Sequence, residues 1–107
     1  MSNAVYFVSF KLKKGSSVPE FLDAAKKLND GYISKQPGYV SWKQAVDGNT
    51  WADFITFETM GDLNKFQEVS NNPGELALQF YSFINLNSCK VHMFSVERKY
   101  EKATPGA

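Results

Sequence analysis

The sequence predicts an α+β fold in which elements run in the order β, α, β, β, α, β and helices cover one face of a four-stranded antiparallel sheet. Three observations carry that prediction. Residues 37–62, PGYVSWKQAVDGNTWADFITFETMGD, read as two alternating strands joined at Asp47-Gly48-Asn49, a strong short-range hairpin signal. Segments of helical periodicity, each behind a capping signal, flank the hairpin on both sides. Aromatic and β-branched runs near the two ends of the chain read as the first and last strands.

Met1–Ala4 is read as a loose N-terminus, and the first strand is expected over Val5–Leu12. Tyr6, Val8, Phe10 and Leu12 point to one side of it, Val5, Phe7, Ser9 and Lys11 to the other, so both faces need cover. Gly15 ends the strand, and Ser17-Val18-Pro19-Glu20 has the form of a capping box. The helix it opens is expected to place Phe21, Leu22, Ala25, Leu28, Tyr32 and Ile33 inside and to run through Gly31 to Pro37-Gly38. In the hairpin, a tight connection at Asp47-Gly48 pairs even residues of its first strand with odd residues of its second. Val40, Trp42, Gln44 and Val46 then share the core face with Trp51, Asp53, Ile55 and Phe57, while Tyr39, Ser41, Lys43, Ala45, Ala52, Phe54, Thr56 and Glu58 face the other way. Thr59 is expected to cap a short helix using Leu63, Phe66 and Val69. Asn72 is expected to cap a second helical piece with Pro73 at its first position, carrying an apolar stripe of Leu76, Phe80, Phe83 and Ile84. The last strand is expected over Cys89–Arg98, followed by a mobile tail at 99–107. One domain, 5–98, accounts for the whole pattern.

Composition bounds the function classes. Twelve Lys and Arg against eleven Asp and Glu leave a formal charge of +1, so nucleic acid and anionic membrane are not expected partners. No apolar run approaches the roughly 20 residues that span a bilayer, and the N-terminus lacks the basic-then-apolar pattern of a secretory signal. A single cysteine, Cys89, excludes an internal disulfide and fits a reducing compartment, so a cytoplasmic protein is expected. Sixteen aromatics in 107 residues point to an aromatic-lined cavity or a large apolar interface. The sheet face away from the helices carries Val5, Phe7, Tyr39, Phe54 and Ala52, and a second copy of the chain covers such a face most economically. A homodimer through the open face is therefore expected.

Gly15 after the first strand, Pro37-Gly38 opening the second, and Ile55-Thr56-Phe57-Glu58-Thr59 running into the helix at Asp62 carry a family resemblance. Over about 5–98 the chain resembles the antibiotic biosynthesis monooxygenase-like family of the dimeric α/β barrel superfamily, whose fold is ferredoxin-like. The resemblance implies a dimer and several chemistries, from cofactor-independent oxidation of electron-rich aromatics to haem degradation, and fold does not choose among them. The haem-degrading branch uses an Asn, a Trp and a His where this chain has Val8, Phe57 and about Gln67, so haem cleavage is not expected. The quinone-forming branch lines a pocket between helices and sheet with polar and aromatic side chains. Tyr6, Trp42, Trp51 and Phe57 are the substrate-binding candidates for such a pocket here.

Two residues are candidate bases. Asp53 sits between Trp51 and Ile55 on an apolar face, where a carboxylate must be paired, hydrated or neutralised. One reading has the Trp42 indole N–H donate to it; the other makes it a base of raised pKa that deprotonates a phenol or an enolisable carbon. His92, the only histidine, is the second candidate because its ordinary pKa lies near 6.5. Cys89 and His92 are three apart on a strand and point to opposite faces, so no metal site is expected, and no flavin, nucleotide or haem motif is present. The expected function is oxidation of a small electron-rich aromatic without a cofactor. The alternative is a non-catalytic dimer that binds a small hydrophobic ligand or only assembles.

Overall fold

The computed structural model describes residues 3–70 and 73–103. Strands β1 (Ala4–Leu12), β2 (Tyr39–Asp47), β3 (Thr50–Phe57) and β4 (Ile84–Ser95) form one sheet in the order β2-β3-β1-β4, with all neighbours antiparallel. Helix α1 (Val18–Gly31) follows β1, and α2 (Met60–Val69) and α3 (Glu75–Tyr81) lie between β3 and β4. This is the predicted order, with the second helical region in two pieces.

The hairpin turn fixes which side chains enter the core. Gly48 takes φ +61° at the first central position, where Gly is favoured in a type II′ turn, and Asp47 pairs with Thr50. From there Val46 faces Trp51, Gln44 faces Asp53 and Trp42 faces Ile55, as the parity argument requires. The register then slips between Tyr39 and Ser41, so Val40 is the extra residue of a bulge. Tyr39 therefore packs on the core and Val40 is exposed, the reverse of the expected assignment. On β1 the even residues join this face: Ala4 pairs with Phe57, Tyr6 with Ile55, Val8 with Asp53 and Phe10 with Trp51.

The helices cover that face, and aromatic rings fill the layer between. Phe21 on α1 lies 5.1 Å from Trp51 and 5.2 Å from Phe80, ring centre to ring centre, and is wholly buried. Truncating a core Phe of this kind costs about 3–5 kcal/mol. At the other end Phe57 packs 5.1 Å from Phe66 of α2. Ser17 caps α1 by accepting from the Glu20 amide at 3.3 Å, and Thr59 caps α2 by accepting from the Asp62 amide at 3.0 Å, both as predicted.

Several boundaries differ from expectation. Ala4 belongs to β1 and is fully buried, so the strand starts one residue before the expected Val5; Met1 and Ser2 lie outside the described residues. α1 ends at Gly31, where an added Cβ would stand 2.7 Å from Leu76 Cδ1, and Tyr32 leaves helical geometry for a 3-10 turn over Ile33–Lys35. Leu22 is exposed and Ala24 takes the inward position. The cap of α3 is Gly74 with Pro73 before it, while the expected cap Asn72 lies outside the described residues. α3 stops at Tyr81, and Ile84 opens β4 five residues before the predicted start. Of the expected tail, 99–103 is exposed and has no regular structure.

Gly38 is the tightest backbone constraint. It has φ +78°, and an added Cβ would collide with the Asp62 carboxylate that Thr59 Oγ1 holds at 2.9 Å. Gly38→Ala is therefore expected to cost about 2–4 kcal/mol, from the left-handed backbone together with the displaced carboxylate. A urea midpoint unchanged from wild type would contradict this.

Candidate functional site

The helices do not fill the space above the middle of the sheet. A cavity of about 220 Å³ lies there, walled by β1, β3 and β4 below and by Leu28, Phe66 and Phe80 of the three helices above. It reaches the surface beside β4, where Leu86 is 61% and Val91 is 46% exposed. That opening follows from an irregularity in β4. Between the Ser9–Lys90 and Lys11–Asn85 pairs, four residues of β4 stand opposite Phe10 alone. Ser88 ties the displaced segment down: its hydroxyl accepts from the Lys11 amide at 2.8 Å and donates to the Asn85 carbonyl at 2.6 Å. The excursion turns Cys89 into the cavity and leaves Leu86 at its rim.

Asp53 is the polar centre of this space. It comes from the inward face of β3, is 2% exposed, and lines the cavity with Tyr6, Trp42, Tyr81 and Cys89. Its Oδ1 accepts from Gln44 Nε2 at 3.1 Å, the cross-strand neighbour that the register supplies. Burial pushes its pKa up to about 7, against the opposing effect of the Gln44 hydrogen bond and a smaller one from Trp42. The Trp42 indole N–H favours the charged carboxylate by proximity, yet it makes no hydrogen bond of acceptable length and angle. Among the described residues it is buried without a partner, as is Gln67 Oε1 on α2. Gln44, not Trp42, thus holds Asp53, and the indole N–H remains available to a ligand.

The other ionisable groups of the cavity are held neutral. Burial pushes the Tyr6 phenol to about 12, with the nearby Tyr81, Cys89 and Asp53 adding to the shift. Burial likewise raises Tyr81 and Cys89. Near neutral pH Asp53 is therefore the group of this set that exchanges a proton.

Three of the six predicted site residues meet in the cavity: Tyr6, Trp42 and Asp53. Trp51 and Phe57 share their sheet face but lie in packed core on either side, Trp51 against Phe21 and Phe57 against Phe66. His92 does not join them. It pairs with Phe7 across β1 and β4 on the opposite face, where its ring stacks on Phe94 at 5.4 Å with an interplanar angle of 15°. Sequence reasoning missed Tyr81, which lies off the apolar stripe of Leu76, Phe80, Phe83 and Ile84 and was not singled out, and Gln44, read only as a face marker. The pairing of Gln44 with Asp53 was implicit in the hairpin parity.

Comparison with known proteins places this geometry in context. No family model matches the sequence, and no curated protein matches it. Among solved structures, SnoaB, a cofactor-independent oxygenase from Streptomyces nogalater, is similar with a TM-score of 0.72 at 12% identity, over 95% of this chain and 100% of that one. A dimeric ferredoxin-like protein from an uncultured marine organism gives 0.63 at 11% identity, over 96% of this chain and 95% of that one. A heme-degrading protein from Mycobacterium tuberculosis gives 0.63 at 14% identity, over 94% and 98%. At these identities the likeness is one of fold. The chain has the ferredoxin-like fold of the antibiotic biosynthesis monooxygenase-like proteins, as the resemblance in its sequence implied.

Proposed function

We propose that this chain is an enzyme that removes a proton from a small electron-rich aromatic inside the cavity, with Asp53 as the base, as the opening step of a cofactor-independent oxidation. The observation that carries the reading is a buried carboxyl with a pKa of about 7, facing an apolar cavity with no cationic partner among its lining residues. A general base works best when its pKa lies near the operating pH. Deprotonating a phenol or an activated carbon makes an electron-rich anion that can give an electron to O₂, and the low-dielectric walls keep water from competing. Trp42 is placed to donate its unpartnered indole N–H to the developing oxyanion. The fold shared with SnoaB supports the reading without specifying a substrate.

Cavity size bounds the substrate. Engineered protein cavities of about 150 Å³ take benzene, and drug-sized pockets start at about 300 Å³. At about 220 Å³ this one suits a compound of one ring, or two small ones. Haem does not fit: the space is too small, the lining offers no histidine, and Tyr6 and Cys89 are held in their neutral forms.

Screening of one- and two-ring phenols by oxygen uptake tests the proposal. Asp53→Asn is expected to lower turnover by at least a hundredfold while His92→Ala leaves it within a fewfold, because His92 lies on the other face of the sheet. Equal turnover by wild type and Asp53→Asn would remove Asp53 from the reaction. Saturable quenching of Trp fluorescence by apolar ligands without oxygen uptake would favour a binding protein instead.

We further propose that two copies pair through the open sheet face. Phe54 and Phe94 are 37% and 49% exposed there, flanking Phe7 at 5.2 and 6.0 Å. Monomers seldom leave a contiguous aromatic patch in water. The dimeric ferredoxin-like neighbour supports this arrangement. No described helix is long and apolar enough to cross a membrane.

A further inference from the structure

The cavity is one-sided in charge. Asp53 from β3, Tyr6 from β1, Cys89 from β4 and Tyr81 from α3 line it, and each can be only neutral or negative. Among the described lining residues β2, α1 and α2 contribute no ionisable group, and no Lys, Arg or His is present. Asp53 has one hydrogen-bond donor, Gln44 on Oδ1, and no countercharge. Around it stand ring faces and edges, with Trp42 and Phe80 crossing at 5.6 Å and Tyr6 and Phe66 at 5.9 Å.

We propose that the cavity selects its ligand by charge: it admits neutral ring compounds, binds a protonated aromatic amine most tightly, and turns away carboxylates. An ammonium group beside Asp53 supplies the countercharge that the fold withholds. The carboxylate is already desolvated in the folded chain, so the pair forms without that part of the usual cost of burying two ions. The surrounding rings add cation–π attraction. A carboxylate ligand would instead set two like charges in a low-dielectric space whose donors, the Trp42 indole N–H and the Tyr6 and Tyr81 hydroxyls, are all neutral. For the reaction proposed above, the substrate must enter as its neutral acid and lose its proton inside, and a protonated amine of the same size is a competitive inhibitor.

Benzylammonium, benzyl alcohol and benzoate share one ring and differ in charge, which makes them suitable probes. Titrated against the whole chain at pH 8 by Trp fluorescence, benzylammonium is expected to bind at least tenfold tighter than benzyl alcohol, and benzoate not to saturate. Between pH 8 and pH 6 the ionised fraction of Asp53 falls about tenfold, so benzylammonium affinity is expected to fall by the same factor while benzyl alcohol holds constant. Asp53→Asn should abolish the preference and keep binding of the alcohol, which also reports a folded cavity. If that variant does not fold, the pH dependence of the wild type decides. Benzoate binding as tightly as benzyl alcohol, a preference for the amine that survives Asp53→Asn, or an amine affinity flat from pH 6 to 8 would overturn the proposal. It shares with the proposed reaction the premises that this cavity takes a ligand and that Asp53 is ionised within it, and no step of the chemistry. Charge preference without turnover of any phenol refutes the reaction and supports the filter, and turnover without charge preference does the reverse.

Discussion

Asp53→Asn is expected to melt roughly 15 °C above wild type at pH 8, with the gap narrowing by roughly 10 °C at pH 5. In the unfolded chain the Asp53 carboxyl titrates near 3.8, and in the folded chain burial raises it to about 7. Between those values the folded state binds more protons, so stability falls as pH rises from about 4 to about 7 and stays low above. One pKa unit corresponds to about 1.4 kcal/mol, so the full penalty is on the order of 4 kcal/mol, of which roughly 2–3 kcal/mol develops between pH 5 and pH 8. Asn has nearly the same shape, its carbonyl can accept from Gln44, and it carries no charge to desolvate. For a domain of this size about 4 kcal/mol corresponds to roughly 15 °C at pH 8, and the 2–3 kcal/mol absent at pH 5 to roughly 10 °C. Thermal melts of both proteins at pH 5 and pH 8 give the comparison directly. A variant less stable than wild type at pH 8 would mean that the charged carboxylate is a structural partner, and the case for a strained base would fall.

This expectation ties stability to chemistry at one residue. A group whose ionised form opposes folding is the kind of group that a reaction needs, since the energy withheld by the fold is available when the carboxylate takes a proton or meets a cation. The cavity is open on the β4 side through an excursion of four residues opposite one, so the same local irregularity that opens the cavity also turns Cys89 inward.

How much of this was legible in the sequence depends on which residues had a local anchor. Asp53 was found because the turn at Gly48 fixes the parity of two strands, and parity alone puts a carboxylate between Trp51 and Ile55 on the core side. The same parity failed at Val40, since a bulge leaves no mark in a run of alternating residues. His92 had no such anchor. β4 meets β1 across the whole chain, no turn sets their register, and the excursion before Lys90 shifts the phase of every later residue. The end of α1 was hidden for another reason: Gly31 weakens a helix by about 1 kcal/mol without by itself ending it, and it is the approach of Leu76 from α3 that uses the missing side chain. The cavity itself was out of reach, because a volume of about 220 Å³ between Leu28, Phe66 and Phe80 depends on how far three helices stand off the sheet. Trp51 and Phe57 show the consequence. They have the right face and the wrong place along it.

Phe54→Lys is expected to convert a dimer into a monomer at micromolar concentration. The open face is built from the odd residues of β1 and the even residues of β3 and β4, which the register sets side by side: Phe7 opposite both Phe54 and His92, and Val5 opposite Phe94. Phe7 gathers these rings, and His92 and Phe94 stack nearly parallel, so the patch is continuous across three strands. A two-fold interface uses the same patch on both copies, so one substitution acts twice. Losing a buried Phe from each side removes about 3–6 kcal/mol of association free energy, roughly two to four orders of magnitude in the dissociation constant. The introduced ammonium also stands beside a second cation, because Lys43 pairs with Phe54 across β2 and β3. Because Phe54 is already 37% exposed in the single chain, far-UV circular dichroism should show the sheet retained. Light scattering then reads the result: a wild-type mass near twice that of the chain, falling to the single-chain mass in the variant. A wild type that is monomeric at these concentrations, or a variant that stays dimeric, would mean that the aromatic face is not what joins the two copies.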